Sequence, residues 1–452
     1  MRPQPISRIR VVVSLMQSSN IPPRMKPLSP RRSATFAALD VGTSKIACVI
    51  ARLTPSAEVA PGDWRTHRTR VIGLGHQRAR GIKNGLIVDM DEAERAIRQT
   101  VDAAERMCGM QVDHVIVTAS GGRLASQHFN ATCAIGGREV AVADIHRVLE
   151  ASAAHDLHRG RVALHSLPTG FSLDGVTGIH EPKDMIGEEL GVDLHVATSD
   201  QTATRNLIIA VERGHLGVEG LAAAPYAAAL AVLEPDEAEM GVLLIDMGAG
   251  STSLAVFDRG EMVHLDAVML GGGHVTMDIA RGLDARLVDA ERLKTLHGSA
   301  IVASSDEREM IAFDHVGEHG PNRAHASKAQ LVRIIRPRVE ETLEFLAERL
   351  KRAGFPVSPN RRIVLTGGAS QLNGMTEAVR QILGGQARIG RPIGVDGLTQ
   401  SAQSPAFAVA AGLLVYPQVA GHEYFEPRRE YRAATGTDNY VSRVSRWLRE
   451  SF

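Results

Sequence analysis

The sequence predicts an α/β protein built as two lobes, with a smaller α+β unit inserted into the first lobe and an amphipathic helix at the end of the chain. Strand-like and helix-like segments alternate from Ala34 onward, which is typical of a mixed sheet covered by helices. Residues 119–197 interrupt that alternation with short strands and one helix. Residues 437–452 show apolar side chains at helical spacing.

Composition sets limits on the class of protein. A chain of 452 residues with 44% hydrophobic content is long enough for two or more cored domains. The 51 basic and 51 acidic side chains cancel, so whole-chain charge gives no reason to expect nucleic acid as a partner. The three cysteines, Cys48, Cys108 and Cys133, lack metal or redox spacing, which suits a reducing compartment. No apolar run reaches the ~18–20 residues of a membrane-spanning helix.

Residues 1–33 are predicted to form a basic, solvated tail. They contain seven Lys or Arg, six Pro and no acid, a composition that opposes a packed core. Their apolar stretch, Ile9 to Met16, is too short for a signal peptide. Such a tail suits anionic lipid. The alternative is that translation starts at Met16 or Met25 and that the preceding residues are not part of the protein.

The first lobe is predicted to comprise residues 34–118 and 198–233. Its strands are a hairpin from Thr35 to Arg52 around Asp40, then Val71 to Leu74 and Val115 to Thr118. A helix from Asp91 to Met107 has apolar or small residues at helical spacing, with Asp91 as its expected cap. The inserted unit, residues 119–197, has a helix from Ala141 to Ser152 and short strands near Val162, Phe171 and Leu194.

The second lobe is predicted to comprise residues 234–416. A buried strand, Val242 to Ile245, pairs across a glycine turn with Leu254 to Phe257. A helix follows the Gly271–Gly273 run, and a long helix opens with a capping box of Ser327 and Gln330. We expect Pro337 to kink that long helix.

Three distant segments, Leu39–Ser44, Leu244–Ser251 and Val364–Ala369, each follow an apolar run with a glycine-containing turn. Such turns present backbone N–H groups at a strand end, where a phosphate or sugar can approach closely. The first two share an Asp-x-Gly turn, and a short acid there suits a hydrated Mg²⁺ between two phosphate-binding hairpins. One Asp-Gly alone indicates only a hairpin turn. Two of them about 200 residues apart, followed by a Gly-Gly turn, predict one nucleotide clamp.

At these residues the chain resembles the actin-like ATPase superfamily, and more closely the FtsA family of bacterial cell-division proteins. Further matches follow in the family's order: Gly272-Gly273-His274 with Asp278, Glu291-Arg292-Leu293-Lys294, and the final helix. The resemblance covers residues 34–452 and implies an actin-like two-lobed ATPase fold. It also implies that the insertion is the family's 1C subdomain, in place of actin's 1B; His165–Pro168 and Gly178–Pro182 match there.

The resemblance implies an ATP and Mg²⁺ site between the lobes. The nucleotide-binding residues that it assigns are Asp40, Gly42, Thr43, Ser44, Asp246, Gly248, Ala249, Gly250, Ser251, Gly272, Gly273, Glu291, Lys294, Gly367 and Gly368. Asp40 and Asp246 are expected to organise Mg²⁺ and water, and Gly367 with Gly368 to approach the adenosine. Glu291 and Lys294 share one helical face, so they are either a surface ion pair or, as in chaperones of the superfamily, ligands of ribose and adenine.

The residues around the clamp predict weak ATP hydrolysis or none. Hydrolysing relatives carry a Glu-Pro pair whose acid positions the attacking water, and here Ala224 precedes Pro225. A methyl group neither orients a water nor accepts its proton. Ala249 replaces a usual glycine and Ser253 a usual aspartate. No catalytic residue is assigned firmly, and Asp200 and Gln201 are the alternatives for positioning water.

The last helix carries an apolar stripe flanked by arginines. The stripe comprises Tyr440, Val441, Val444, Trp447, Leu448 and Phe452, and the flanking residues are Arg443, Arg446 and Arg449. Residues 417–436, rich in charge and turn formers, are predicted to be a flexible linker. The helix either packs against the body or lies in a membrane surface, which the tether, the arginines and the tryptophan favour. In the family this helix is the membrane-targeting sequence.

The resemblance implies an ATP-binding protein that polymerises on the inner face of the cytoplasmic membrane at the division site. There it would anchor FtsZ and help to recruit later division proteins, with contacts in the lobe tip at residues 270–345. The alternatives are an actin-like pilus-assembly or other scaffold ATPase, or a sugar kinase or phosphatase of the same superfamily. A chaperone is disfavoured by Ala224 and by the missing substrate-binding domain after Tyr416.

Overall fold

The computed structural model describes residues 22–56, 63–121, 123–154, 156–317 and 324–425. The strands are β1 (Ala34–Val41), β2 (Lys45–Pro55), β3 (His67–Arg78), β4 (Ile82–Lys83), β5 (Leu86–Ile87), β6 (His114–Ala119), β7 (Ala125–Glu139), β8 (Arg161–Leu173), β9 (Val176–Ile179), β10 (Ile186–Asp200), β11 (Gly217–Ala223), β12 (Val242–Met247), β13 (Thr252–Asp258), β14 (Glu261–Val268), β15 (Met310–Phe313), β16 (Ala324–Ser327), β17 (Arg362–Thr366), β18 (Gln386–Ile389) and β19 (Val395–Asp396). The α-helices are α1 (Met90–Cys108), α2 (Val142–Ala153), α3 (Gln201–Arg213), α4 (Ala224–Val232), α5 (Pro235–Glu239), α6 (Gly272–Leu283), α7 (Leu287–His297), α8 (Lys328–Arg352), α9 (Met375–Leu383) and α10 (Ala408–Val419).

The first lobe is a six-stranded mixed sheet in the order β11-β6-β1-β2-β3-β19. Helix α1 packs on β2 and β3, and α10 packs on β1 and on α4. The predicted cap of α1 is wrong by two residues, because the Asp89 side chain accepts the hydrogen bond from the Glu92 N–H. The predicted end of the second lobe is also wrong: β19 joins the first sheet, and residues 398–420 lie in the first lobe's core.

Residues 22–33 pack against the body, so the prediction of a solvated tail is wrong for this part of the chain. Met25 and Leu28 are buried, and the Leu28 N–H donates to the Pro417 carbonyl at 2.8 Å. The start of the predicted flexible linker is likewise ordered. The side chain of Glu423 is 4% exposed and lies 2.6 Å from His165 Nδ1, and the Tyr424 N–H donates to the Ser166 carbonyl. Residues 1–21 and 426–452 lie outside the described part of the chain.

The inserted unit comes between β6 and α3 of the first lobe in sequence, yet its sheet continues the sheet of the second lobe. The nine strands run β18-β17-β12-β13-β14-β7-β10-β8-β9. The seam between β14 and β7 has one ladder pair, Asp266 with Ala125. The Ser126 hydroxyl accepts from the Leu265 N–H at 2.7 Å and also bonds its carbonyl, so a side chain completes the seam. The insertion therefore bridges the two lobes.

The second lobe packs α6, α7, α8 and α9 around β12 and β17 in one core. The Ser327 side chain caps α8 by accepting from the Gln330 N–H, which is one of the two hydrogen bonds of the predicted capping box. Pro337 lies inside α8, which continues on both sides of it. Within the described ranges, no helix combines the length and apolarity needed to cross a membrane.

Candidate nucleotide-binding site

The two predicted phosphate-binding turns have the same backbone construction. The Gly42 N–H donates to the Lys45 carbonyl at 3.0 Å, and the Gly248 N–H donates to the Ser251 carbonyl at 2.9 Å. A Cβ atom on either glycine would lie 2.9 Å from that carbonyl oxygen, which is closer than real Cβ contacts allow. Each turn therefore requires glycine two residues after its aspartate.

The middle of each turn presents backbone donors to the space between the lobes. In the described chain, the N–H groups of Thr43 and Ser44, and those of Ala249 and Gly250, donate to no backbone or side-chain acceptor. Such consecutive N–H groups form a concave anion site. Gly250 packs against Thr43, so the two turns face each other directly.

Gly272 and Gly273 support the second turn. Their N–H groups donate to the carbonyls of Gly248 and Ala249 at 2.9 and 2.8 Å. These donors are therefore already used within the protein, and the start of α6 holds the turn in place. The Thr43 hydroxyl has a similar role in the first turn, since it accepts from the Gly85 N–H at 2.8 Å.

Asp40 and Asp246 are both nearly buried at the ends of β1 and β12. Burial raises the pKa of Asp40, while Lys45 and a hydrogen bond from the Thr118 hydroxyl oppose that rise. Burial and the nearby Asp40 raise the pKa of Asp246 to about 7. The charged form of Asp246 is thus disfavoured in the protein alone, and a cation bound nearby would favour it.

Lys45 was not among the predicted site residues, yet it faces both acids. Burial lowers the pKa of its ammonium group, and Asp40 and Asp246 oppose the shift. The group donates to the Ala406 carbonyl and lies 3.4 Å from the centroid of the Phe407 ring. Its sequence signal was its position three residues after Gly42, where the second hairpin has Ser251.

The adenosine side of the cleft brings the third glycine turn against the second lobe's helices. Gly367 has φ +82°, and a Cβ atom there would overlap Asp246 and the Met247 carbonyl. Gly272 packs against Ala369, which follows Gly368. The Lys294 ammonium group donates to the Gly272 carbonyl at 3.1 Å and lies 2.7 Å from Glu291. The pair is therefore an ion pair, and it also adjoins this turn.

The donor set fits a Mg²⁺ ion that is shared with phosphates. Mg²⁺ is usually held by one or two carboxylates together with phosphate oxygens and waters. Asp40 and Asp246 would supply those carboxylates, and the charge of the ion would favour ionised Asp246. No group of three or more His, Cys, Asp or Glu side chains suited to a metal occurs among the residues that the structure describes.

The positions predicted to control hydrolysis lie in different settings. Ala224 is 2% exposed at the start of α4, and Ser253 is buried on β13. Asp200 caps α3 by accepting from the Ala203 N–H at 2.9 Å, so its carboxylate already has a structural partner. The Gln201 backbone N–H donates to the Gly160 carbonyl. The predicted membrane residues, Tyr440, Arg443, Val444, Arg446, Trp447, Leu448, Arg449 and Phe452, lie outside the described residues.

Comparison with known proteins identifies the family. Residues 243–412 match the family model described as "Cell division protein FtsA", and residues 121–198 match the "SHS2 domain inserted in FTSA". A cell division protein FtsA from Rhizobium meliloti is 50% identical over 444 residues, which cover 97% of this chain and 100% of the relative. The chain belongs to the FtsA family of cell-division proteins. The FtsA of Pseudomonas aeruginosa is 30% identical, covering 92% of this chain and 97% of that protein.

A solved structure supports the fold independently of close sequence similarity. The "PilM-PilN type IV pilus biogenesis complex" superposes with a TM-score of 0.58 at 19% identity, covering 85% of this chain and 99% of that chain. With the two family matches, it confirms the predicted fold: an FtsA-type, actin-like α/β protein with an inserted subdomain.

Proposed function

We propose that this member of the FtsA family binds ATP with Mg²⁺ between its lobes and polymerises on the inner face of the cytoplasmic membrane. There it anchors FtsZ filaments and helps to recruit later division proteins. Family membership supports this proposal over a pilus-assembly protein or a small-molecule kinase or phosphatase. The observation that carries the nucleotide part is the facing pair of Asp-x-Gly turns, with Lys45 close enough to interact with both carboxylates.

The nucleotide proposal assigns a role to each turn. Thr43, Ser44, Ala249 and Gly250 offer backbone N–H groups to phosphates, and Asp40 and Asp246 hold the hydrated metal. Titration calorimetry on the wild type, with and without Mg²⁺, tests this assignment. We expect ATP to bind tightly only with Mg²⁺, and equal affinity without the ion would contradict the metal's proposed place.

We also propose that the protein hydrolyses ATP slowly or not at all. Ala224 supplies no group that positions water, and Asp200 is engaged as a helix cap. Phosphate release under saturating Mg-ATP tests this, and a rate typical of efficient ATPases would contradict it. Restoring an acid by Ala224→Glu is a poor test, because that Cβ is buried and the larger side chain would disturb the core.

The membrane proposal rests on the sequence of residues 437–452. Trp447→Glu places a charge in the apolar stripe, so we expect it to release the full-length protein from anionic vesicles. Sedimentation with vesicles measures the release, and thermal unfolding checks the fold. If the variant still sediments and melts at a much lower temperature, the helix belongs to the core.

Exposed apolar side chains on α7 support a protein-docking role for the predicted lobe tip. Leu287, Val288 and Leu296 are 55%, 74% and 62% exposed. Leu287 and Val288 are neighbours at the start of α7, and adjoining exposed apolar side chains commonly mark protein-binding surfaces. Val288→Glu is expected to abolish co-sedimentation with FtsZ filaments without changing the melting temperature. The matched control is Val176→Glu, since Val176 lies on the inserted subdomain and is 66% exposed.

A further inference from the structure

The first-lobe sheet carries exposed arginines where β2 ends and β3 begins. Arg52 on β2 lies directly opposite Arg70 on β3, and both are exposed. Thr35 on β1 lies on the other side of Arg52. Arg68, two residues before Arg70, is 2.8 Å from Asp396 on β19. The arginine row is defined here as Arg52, Arg68 and Arg70.

This arrangement is unfavourable for the isolated fold. Like charges directly opposite on neighbouring strands destabilise a sheet. Over the described ranges, neither Arg52 nor Arg70 has an ion pair with an acid. Asp396 is adjacent to Arg70 in register but pairs with Arg68, and Asp63 pairs with Arg65. Among the described residues, the three arginines of the row share one ion-paired acid, Asp396, which leaves a net positive charge there.

The row is far from the nucleotide site. Strand β1 runs from Ala34 at this end of the sheet to Asp40 at the clamp. The six residues from Thr35 to Asp40 are joined by five steps, which span about 17 Å at the usual rise of a strand. Phosphate groups of a bound nucleotide consequently do not neutralise Arg52 and Arg70.

The ordered N-terminal segment, residues 22–33, adds further arginines next to the arginine row. It also contacts Phe425, from which the chain continues toward the terminal helix. The Arg24 guanidinium lies 4.0 Å from the centroid of the Phe425 ring. Further along the segment, the Arg32 carbonyl bonds His67 Nε2 at 3.1 Å, at the first residue of β3. Arg31 and Arg32 are both exposed. One short segment thus connects the chain that leads to the terminal helix with the arginine row.

We propose that Arg31, Arg32, Arg52 and Arg70 bind the headgroups of anionic phospholipids, as a second membrane contact beside the terminal helix. The inference rests on the proposed membrane function. A single amphipathic or lipid anchor gives marginal binding, and stable attachment takes a second signal such as a basic patch. Guanidinium groups suit this role because they bind phosphate with two parallel hydrogen bonds.

Vesicle binding by the full-length protein tests the proposal. The probes are vesicles of phosphatidylglycerol mixed with phosphatidylcholine, and vesicles of phosphatidylcholine alone. We expect Arg52→Gln/Arg70→Gln to bind the anionic vesicles about 30-fold more weakly, since each of the two basic residues contributes about 1 kcal/mol near an anionic surface. Arg31→Gln/Arg32→Gln should behave alike. High salt should remove the difference from wild type.

The matched control is Arg78→Gln/Arg80→Gln, which removes two exposed arginines at and just beyond the opposite end of β3. It should bind anionic vesicles like wild type. Arg52→Gln/Arg70→Gln relieves a like-charge pair, so its melting temperature should not fall. Equal vesicle affinity of that variant and wild type would overturn the inference.

Trp447→Glu separates this inference from the proposed function. If Trp447→Glu loses vesicle binding and Arg52→Gln/Arg70→Gln binds like wild type, only the arginine contact is overturned. Retained binding by Trp447→Glu overturns the proposed role of the terminal helix. Weaker binding of Arg52→Gln/Arg70→Gln to single-stranded DNA, with unchanged vesicle affinity, would overturn the lipid assignment and point to nucleic acid.

Discussion

The two predicted phosphate-binding hairpins have the same backbone turn but differ in the groups that surround the aspartate. In the first, the Thr118 hydroxyl donates to Asp40 at 3.0 Å, and Lys45 lies nearby. In the second, Ser251 replaces that lysine, and burial with the repulsion of Asp40 raises the pKa of Asp246 to about 7. Asp40 is thus partly compensated by Lys45 and by the Thr118 hydroxyl, whereas Lys45 alone opposes the rise at Asp246, so a bound cation would stabilise the second carboxylate more.

The neighbouring strands explain part of this asymmetry. Each hairpin has a parallel partner strand with a threonine beside the aspartate: Thr118 on β6 and Thr366 on β17. Thr118 donates to Asp40, but the Thr366 hydroxyl bonds the Gly390 and Pro405 carbonyls instead. Equivalent residues at equivalent positions thus serve the ligand site in one lobe and the backbone in the other.

The largest expected effect comes from neutralising the less compensated acid. Asp246→Asn should weaken Mg-ATP binding about 100-fold, because one of two carboxylates near the metal is lost. The same change should stabilise the nucleotide-free protein, since it removes a charge that burial disfavours. Calorimetry and thermal unfolding measure the two effects. A destabilised nucleotide-free variant would show that Asp246 is already well compensated.

The pH dependence of stability tests the same acid in the wild type. The pKa of Asp246 is raised from 3.8 to about 7 on folding. The folded state therefore binds more protons between these values, and its stability should fall as pH rises through that window. We expect the nucleotide-free protein to lose about 2 kcal/mol between pH 5 and 7. Denaturant unfolding should show a flatter profile for Asp246→Asn, and parallel profiles would assign the loss to other groups.

Lys45→Met examines the counter-charge of the first hairpin. The variant keeps a long apolar stem but removes the ammonium group that faces both acids. Mg-ATP affinity should fall about tenfold, because a charge-assisted contact is lost. Lys294→Met, at the adenosine side, is the comparison by calorimetry. A Lys45→Met protein that binds ATP like wild type would confine this lysine to its contacts with Ala406 and Phe407.

The smallest effect separates the two threonines. Thr118→Val removes the hydrogen bond to Asp40 and should lower Mg-ATP affinity a few-fold, with about 1 kcal/mol from the lost bond. Thr366→Val, the control of equal size change, should lower the free energy of unfolding without a specific effect on metal dependence. Magnesium titrations at fixed ATP distinguish them. Identical magnesium dependence in both variants would remove the proposed difference between the hairpins.

The sequence alone determined the features that depend on local geometry. Gly42 and Gly248 are required by their own turns, and the strand before each turn is apolar because it is buried. The pair Glu291 and Lys294 follows from helical spacing. These properties involve residues within a few positions of each other, so a pattern of letters is sufficient to predict them.

Only the tertiary structure decided which distant segments of the chain contact each other. The Thr118 contact with Asp40, the insertion's seam with β14 and the return of residues 398–420 to the first lobe join segments far apart in sequence. Residues 22–33 were predicted to be solvated from composition, but Met25 and Leu28 are buried against surfaces formed by later parts of the chain. Burial of this kind depends on which surfaces meet in the folded chain, and the local sequence does not indicate which distant segment will cover these residues.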